Sequence, residues 1–493
     1  MAWVLIVRRL LVAVTVAACV LVAPDANAGE RVRHGCTASV AEPGSAEPVD
    51  ICWTLFRPDG ADASHPVPLI LDSHGWSGSR MKDRHVFAPL LDAGFGVLSF
   101  DQRGFGASGG RAHWQHPDFE GQDVQRLVDL AAGIDWVLQD GPGDPRIGAF
   151  GGSYGGGYQL AGAMAEVRDR GRTRLDALAP MITWFDAKES LAPAGVLRTY
   201  WVSLLLRDGA DSMTPALRDG LLLADATGTW PASLDAVLAK NGPAWHVRQG
   251  RRLDVPVLLR QGHTDNLFNL NEGLRIYEEL LTPAARARSH FVGFNGGHTG
   301  PTFVPLGLAG IDDPCSRLLA GGDVWPLTVR FFTETLKRQP TGLAGSGRYH
   351  LTTAMDRCRS VDAVSPTRDV QLGRVSAGVW KVADGPISLA GLPSLDADAT
   401  SVGVDARLFF ALSVGRTAAD ARIVQNNMLP IRIPMPVTGA HRRVQLPAIA
   451  VDVPAGQSLF LTVSPFSDAS FGHGSRTPTV IVLDRTVVHL PVR

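Results

Sequence analysis

The hexapeptide Gly151-Gly152-Ser153-Tyr154-Gly155-Gly156 constrains this chain more than any other segment. It follows the apolar run Arg146-Ile147-Gly148-Ala149-Phe150 and precedes an apolar helical pattern that begins near Gly157-Tyr158-Gln159-Leu160. In a chain with 53 glycines a bare Gly-x-Ser-x-Gly arises readily by chance, so the pattern gains its meaning from this context. Strand, tight turn and helix in that order place the serine on a sharp elbow. Its hydroxyl is then exposed at the carboxyl edge of a parallel sheet, and the glycines let neighbouring backbones pass close by.

The surrounding sequence supplies such a sheet. Pro68–Ser73, Gly96–Phe100, Arg146–Phe150, Val255–Leu259 and His290–Phe294 read as strands, alternating with helical patterns from about Ile51 to Gln339. Val124, Leu127, Val128, Ala131 and Ile134 recur at helical spacing and predict a crossover helix, and a last amphipathic helix is expected over about Trp325 to Lys337. Leu204-Leu205-Leu206, Leu221-Leu222-Leu223 and Leu234 break the rhythm between about residues 186 and 250, which reads as an inserted helical cap. From about Val364 the helical period gives way to short alternating runs, Ser401–Phe409, Arg443–Val453, Ser458–Ser464 and Thr479–Leu483, separated by Pro and Gly. The expected organisation is an α/β domain over residues 29–340, a linker over 341–363, and an all-β sandwich of jelly-roll type over 364–493. At 493 residues the chain is also too long for one ordinary core.

A serine hydroxyl is a poor nucleophile near neutral pH and needs a base, which in turn needs an acid to hold its tautomer. In a sheet of this kind the partners follow in the order Ser, Asp or Glu, His, each on a loop after a strand. Asp265 follows the strand ending at Leu259, and His298 follows the strand ending at Phe294. The competitors fit less well, since His263 precedes the acid and His290 begins its strand. The expected catalytic set is Ser153, Asp265 and His298. Preorganised donors for an oxyanion are expected from the backbone N–H of Tyr154, just after the nucleophile, and of Trp76 in His74-Gly75-Trp76-Ser77-Gly78. Asp101-Gln102-Arg103-Gly104-Phe105-Gly106 reads as structural, its charged pair and glycines shaping a loop under the site.

Forty-seven basic against 48 acidic residues leave no cationic field for a polyphosphate backbone, so nucleic acid is not an expected partner. Arg8 and Arg9 precede an apolar run from Leu10 to Ala23 that Pro24-Asp25 ends, followed by Ala26-Asn27-Ala28. This reads as a signal peptide over residues 1–28, too short for a membrane span, and places the protein outside the cytoplasm, secreted or periplasmic. The rival reading is a lipobox ending at Cys19, which would anchor the chain by acylation. Cys36, Cys52, Cys315 and Cys358 remain after cleavage, an even number in an oxidising compartment. Of the three pairings, Cys36–Cys52 with Cys315–Cys358 is favoured because each joins a contiguous segment; the alternative is buried free thiols. No cysteine or histidine spacing suggests a metal, and no cofactor is expected.

These motifs resemble those of an α/β-hydrolase. With the cap and the terminal sandwich, the chain is similar to the Xaa-Pro dipeptidyl peptidase and cocaine esterase (CocE/NonD) group of serine hydrolases. The resemblance implies hydrolysis of an ester or amide of a small molecule or short peptide through Ser153, Asp265 and His298. It also implies, as a narrower alternative, release of Xaa-Pro from peptide amino termini, for which Asp118, Glu120, Asp186 and Glu189 are available to bind a terminal ammonium. The chain departs from cocaine-esterase-like members in having no tyrosine in the loop after the first long strand, which favours a two-amide oxyanion hole. A different class of function, a catalytically silent protein whose sandwich binds glycan, is the remaining alternative.

Overall fold

The computed structural model describes residues 31–300 and 313–493, except 347, 473 and 476. The signal peptide cut after Ala28 and the lipobox at Cys19 lie outside the described residues. A ten-stranded sheet organises the first part of the chain. Its strands are β1 (Val32–Ser39), β2 (Val49–Phe56), β3 (Leu69–Ser73), β4 (Gly96–Phe100), β5 (Ile147–Gly152), β6 (Leu175–Met181), β7 (Leu258–Gly262), β8 (His290–Phe294), β9 (Tyr349–Thr352) and β10 (Cys358–Val361). They lie in the order β1-β2-β4-β3-β5-β6-β7-β8-β9-β10. The run from β4 to β9 is parallel, and antiparallel strands close both edges.

The alternation of side chains along the strands divides the core between two faces. Leu69, Leu71, Ile147, Ala149, Leu259 and Phe291 face the helices Glu120–Ala132 and Tyr154–Arg170. Ile70, Val97, Phe150, Leu258 and Val292 face the helix Val324–Thr335 through Leu327, Phe331 and Phe332. Two strands differ from expectation. β7 starts three residues late because Pro256 has no N–H to give to a ladder. β6 had no alternating signature, since Leu175-Asp176-Ala177-Leu178-Ala179-Pro180-Met181 is small and ends in Pro-Met; its place between two buried parallel strands makes it one.

The stretch expected as a linker is partly sheet. Residues 349–352 and 358–361 extend the edge of the ten-stranded sheet, and Cys358 is disulfide-bonded to Cys315 in the helix Pro314–Ala320. Cys36 and Cys52 are directly opposed in the β1–β2 ladder and also bonded. The favoured pairing is therefore the one present.

Between residues 187 and 248 five helices form the cap, the longest being Thr199–Gly209 and Pro215–Thr227. The C-terminal part is a sandwich of two larger antiparallel sheets with a small two-stranded sheet, Ile387–Gly391 and Ile449–Val453, beside them. One orders Arg368–Val375, Val480–Leu490, Ser394–Val402 and Val437–Gln445; the other is built around Ala406–Gly415, a strand buried along its whole length. Two runs read from sequence as single strands are each broken in two. Gly403 and Asp405, both at positive φ, turn the chain inside Ser401–Phe409, and Pro447 interrupts Arg443–Val453. Ala390, Ala448 and Ala450 of the sandwich belong to the same apolar cluster as Leu270, Tyr277 and Leu351, so the two parts share a core.

Candidate active site

Ser153 sits at φ 58°, ψ −122°, between β5 and the helix Tyr154–Arg170. A non-glycine residue in this region carries local strain, and the surroundings hold it there. Its N–H donates to Met181 O at 2.9 Å, and its carbonyl accepts from Gly156 and Gly157 N–H at 2.8 and 3.0 Å. The crowding explains the glycines. A Cβ on Gly155 would stand 2.3 Å from Ser73 O, and one on Gly151 would stand 2.6 Å from Gly155 O. The elbow thus closes only because β3 and the helix can touch backbone to backbone.

The three expected residues come together. Ser153 Oγ lies 2.8 Å from His298 Nε2, and His298 Nδ1 lies 2.7 Å from Asp265 Oδ2. Asp265 is fully buried, whereas the His298 side chain keeps a small exposed area. Trp201 and Phe268 stand edge-on to the imidazole at 5.8 and 5.3 Å, walling it on the cap and acid-loop sides.

Asp265 owes its orientation to an unusually well-anchored loop. Its Oδ1 accepts from the N–H groups of Leu267 and Phe268, both at 2.9 Å. The four consecutive carbonyls from residue 265 to 268 turn outward, and each accepts a side-chain donor. Asn427 Nδ2 reaches the first at 2.8 Å, Arg198 Nη1 binds the second and third, and Gln261 Nε2 takes the fourth at 2.5 Å. Trp201 Nε1 adds a bond to Asn266 Oδ1 at 2.8 Å. Arg198 is almost fully buried; burial pushes its pKa down to about 10, against the opposing pull of the Asp265 and Glu272 charges. None of Arg198, Trp201, Gln261 and Asn427 was legible as a site residue, because each is an isolated polar or aromatic side chain far from any motif. Only Asn266, next to the acid, had a positional signal.

Tyr154 begins the helix directly after Ser153, where backbone N–H groups have no helical partner. Gly75, before Trp76, packs on the elbow, since a Cβ there would lie 3.8 Å from Ser153 Cβ. His74 Nε2 accepts from Gln102 N–H at 3.1 Å, so the proton resides on Nδ1, which donates to Gly75 O at 2.7 Å. This histidine braces the turn. Trp76 Nε1 donates to Leu205 O of the cap at 3.1 Å, and its ring packs edge-on against Phe105 and Tyr154.

The charged pair of the next loop does not pair with itself. Asp101 binds Arg80 and the Ala107 N–H, while buried Arg103 forks onto Asp123 at 2.6 and 2.9 Å and reaches Glu42 at 3.1 Å. Both serve the scaffold. Three of the four carboxylates considered for ammonium binding are similarly engaged. Asp118 pairs with Arg168 and Lys240, and buried Glu120 accepts the His113 and His116 N–H groups at 2.6 and 2.9 Å. Asp186 caps the helix Ala187–Leu191. Glu189 lines a cavity of about 300 Å³ between cap and sandwich, together with Arg275, Arg432 and Arg443. His263 is sealed between β7 and β8, its pKa pushed down to about 3 by burial, and His290 is buried at the start of β8.

The sequence pattern of the X-Pro dipeptidyl-peptidase (S15) family matches residues 48–300. An uncharacterized 31.7 kDa protein of the traX-finO intergenic region of Escherichia coli is 33% identical over 119 residues, 24% of this chain and 39% of that relative. The chain thus matches well under two thirds of that relative's length. Among solved structures, an aminopeptidase from a marine sediment archaeon, Thaumarchaeota archaeon, superposes with a TM-score of 0.65 at 14% identity, covering 94% of this chain and 96% of that one. A CocE/NonD family hydrolase from Staphylococcus aureus gives 0.63 at 13% identity, covering 93% and 94%. An alpha-amino acid ester hydrolase gives 0.63 at 14% identity, covering 96% and 100%. At these identities the likeness is one of fold, and it extends over the cap and the sandwich.

Proposed function

Since the chain belongs to the X-Pro dipeptidyl-peptidase (S15) family, we propose that it hydrolyses ester or amide bonds through an acyl-enzyme on Ser153. The observation that carries the reading is the unbroken Ser153–His298–Asp265 hydrogen-bonded chain at the carboxyl edge of a parallel sheet. In the first step His298 Nε2 takes the Ser153 proton as Oγ bonds to the substrate carbonyl carbon. Asp265 keeps the other imidazole proton on Nδ1 and balances the imidazolium. The tetrahedral oxyanion is held by the N–H groups of Tyr154 and Trp76, whose alignment the helix N-terminus and the braced His74 turn maintain. Collapse expels the alcohol or amine, which carries away the proton from Nε2. Water then gives its proton to Nε2 and releases the acid from Ser153 by the same path in reverse.

The surroundings favour uncharged substrates over peptides with a free amino terminus. Trp201 and Phe268 flank His298, Trp76 packs on Tyr154, Asp118, Glu120 and Asp186 are already spent on internal partners, and Glu189 lines the arginine-rich cavity between cap and sandwich. The two disulfides support a secreted or periplasmic location, and no helix among the described residues is long and apolar enough to cross a membrane. The test is hydrolysis of short acyl esters, aryl amides and Xaa-Pro amides by the purified protein and by Ser153→Ala, with fluorophosphonate labelling in parallel. Ser153→Ala should lose turnover and labelling together. Full turnover by that variant would refute the acyl-enzyme, and Xaa-Pro amides outpacing esters would refute the substrate preference.

A further inference from the structure

We propose that the C-terminal sandwich belongs to the catalytic apparatus, with Asn427 and Gln425 as positioning residues that hold the acid and base loops in register; this rests on the acyl-enzyme reading above. Two side chains of the sandwich, two positions apart, reach the two loops separately. Asn427 donates to the main-chain carbonyl of Asp265 at 2.8 Å. Gln425 Nε2 donates to Asn295 Oδ1 and to Thr352 O, both at 2.9 Å, and its Oε1 accepts the Ala450 N–H at 3.0 Å. Asn295 lies three residues before His298 and is tied in turn to Thr353 O at 2.9 Å and Asp356 Oδ1 at 2.8 Å. All three side chains are buried.

The backbone is bent to make this reach possible. Gln425 and Asn426 both sit at φ 51°, and left-handed backbone at two consecutive non-glycine residues costs about 1 kcal/mol or more for each. Such strain persists only where neighbours over-determine it, and here the neighbours include both triad loops, through Asp265 O and Asn295 Oδ1. Docking of the sandwich does not account for it, because docking has its own supports. Ala390, Ala448 and Ala450 join the apolar core, and Asn271 exchanges hydrogen bonds with Leu446 O and Ala448 N–H.

The loop geometry shows what Asn427 controls. Both Asp265 carboxylate oxygens are committed, Oδ1 to the loop's own N–H groups and Oδ2 to His298. The direction of the carboxylate therefore follows the tilt of its backbone. Without Asn427 the first carbonyl of the loop is a buried acceptor without its donor, and the peptide turns to recover one. A displacement of about 1 Å at a reacting group costs about a hundredfold in rate.

The experiment measures kcat, KM and the rate of fluorophosphonate labelling for Asn427→Ala and the isosteric Asn427→Asp, with p-nitrophenyl butyrate as the probe and Ser153→Ala as control. In both Asn427 variants kcat and labelling should fall together by about tenfold to a hundredfold, with KM within about twofold of wild type. Cooperative unfolding should persist, because the docking contacts remain. Wild-type kcat and labelling in either variant, or a loss confined to KM, would overturn the proposal. Loss of cooperative unfolding in both variants would overturn it as well, by making Asn427 a folding residue. If Ser153→Ala keeps full turnover, the acyl-enzyme reading itself has failed; if it is inactive while the Asn427 variants are normal, only the positioning role has.

Discussion

Replacing Asp72 by Asn should stabilise this protein, and the gain should grow with pH in a defined window. Asp72 is the fourth of the five residues of β3, buried, opposite Ser99 of β4 and Phe150 of β5. Its one described hydrogen bond is accepted from Ser99 Oγ at 2.8 Å. Burial pushes its pKa up to about 7 from 3.8, and the Ser99 bond offsets only part of the rise. Between those two values the native state holds a proton that the unfolded chain has released, so wild-type stability falls as pH rises through the window and is level above it. The full drop corresponds to about 4 kcal/mol at 1.36 kcal/mol per pH unit. Asn keeps an acceptor for Ser99 and never ionises. Urea unfolding of both proteins at pH 5, 6, 7 and 8 measures the difference. The advantage of Asp72→Asn should be about 3 kcal/mol larger at pH 8 than at pH 5. Parallel stability profiles across this range would refute the burial argument.

The elbow, the base and the second disulfide give three further tests. Gly155→Ala forces a Cβ against the Ser73 carbonyl, and should cost about 1–3 kcal/mol in urea unfolding together with most of the hydrolytic activity. Replacing His298 by Ala removes the group that takes the Ser153 proton and should lower kcat/KM by about a hundredfold or more; near wild-type kcat/KM in that variant would remove His298 as the base. Replacing Cys315 and Cys358 by Ala together opens a loop of 43 residues and should cost about 4 kcal/mol by urea unfolding.

How far each of these rests on sequence alone can be followed residue by residue. The elbow is local, since a strand, glycines and a helix start are written in one stretch, and Ser153 and Tyr154 could be placed without any distant contact. The order and loop positions of Asp265 and His298 follow from sheet topology, which the alternation of strands and helices carries. The cysteine pairing was legible because each pair lies within a contiguous segment of the chain. β9 and β10 were not, because Tyr349–Thr352 and Cys358–Val361 are short and become strands only when β9 pairs with the edge of β8 and β10 with β9.

Sequence by itself determined the fold class and the chemical identity of the candidate triad, because both depend on short-range pattern and chain order. Tertiary structure alone decided how the acid is held. Arg198, Gln261 and Asn427 come from the cap, the sheet and the sandwich to satisfy carbonyls of one four-residue loop. A polar side chain carries no mark of which carbonyl it will meet. That is settled when packing removes water from the loop and leaves each buried acceptor needing a donor.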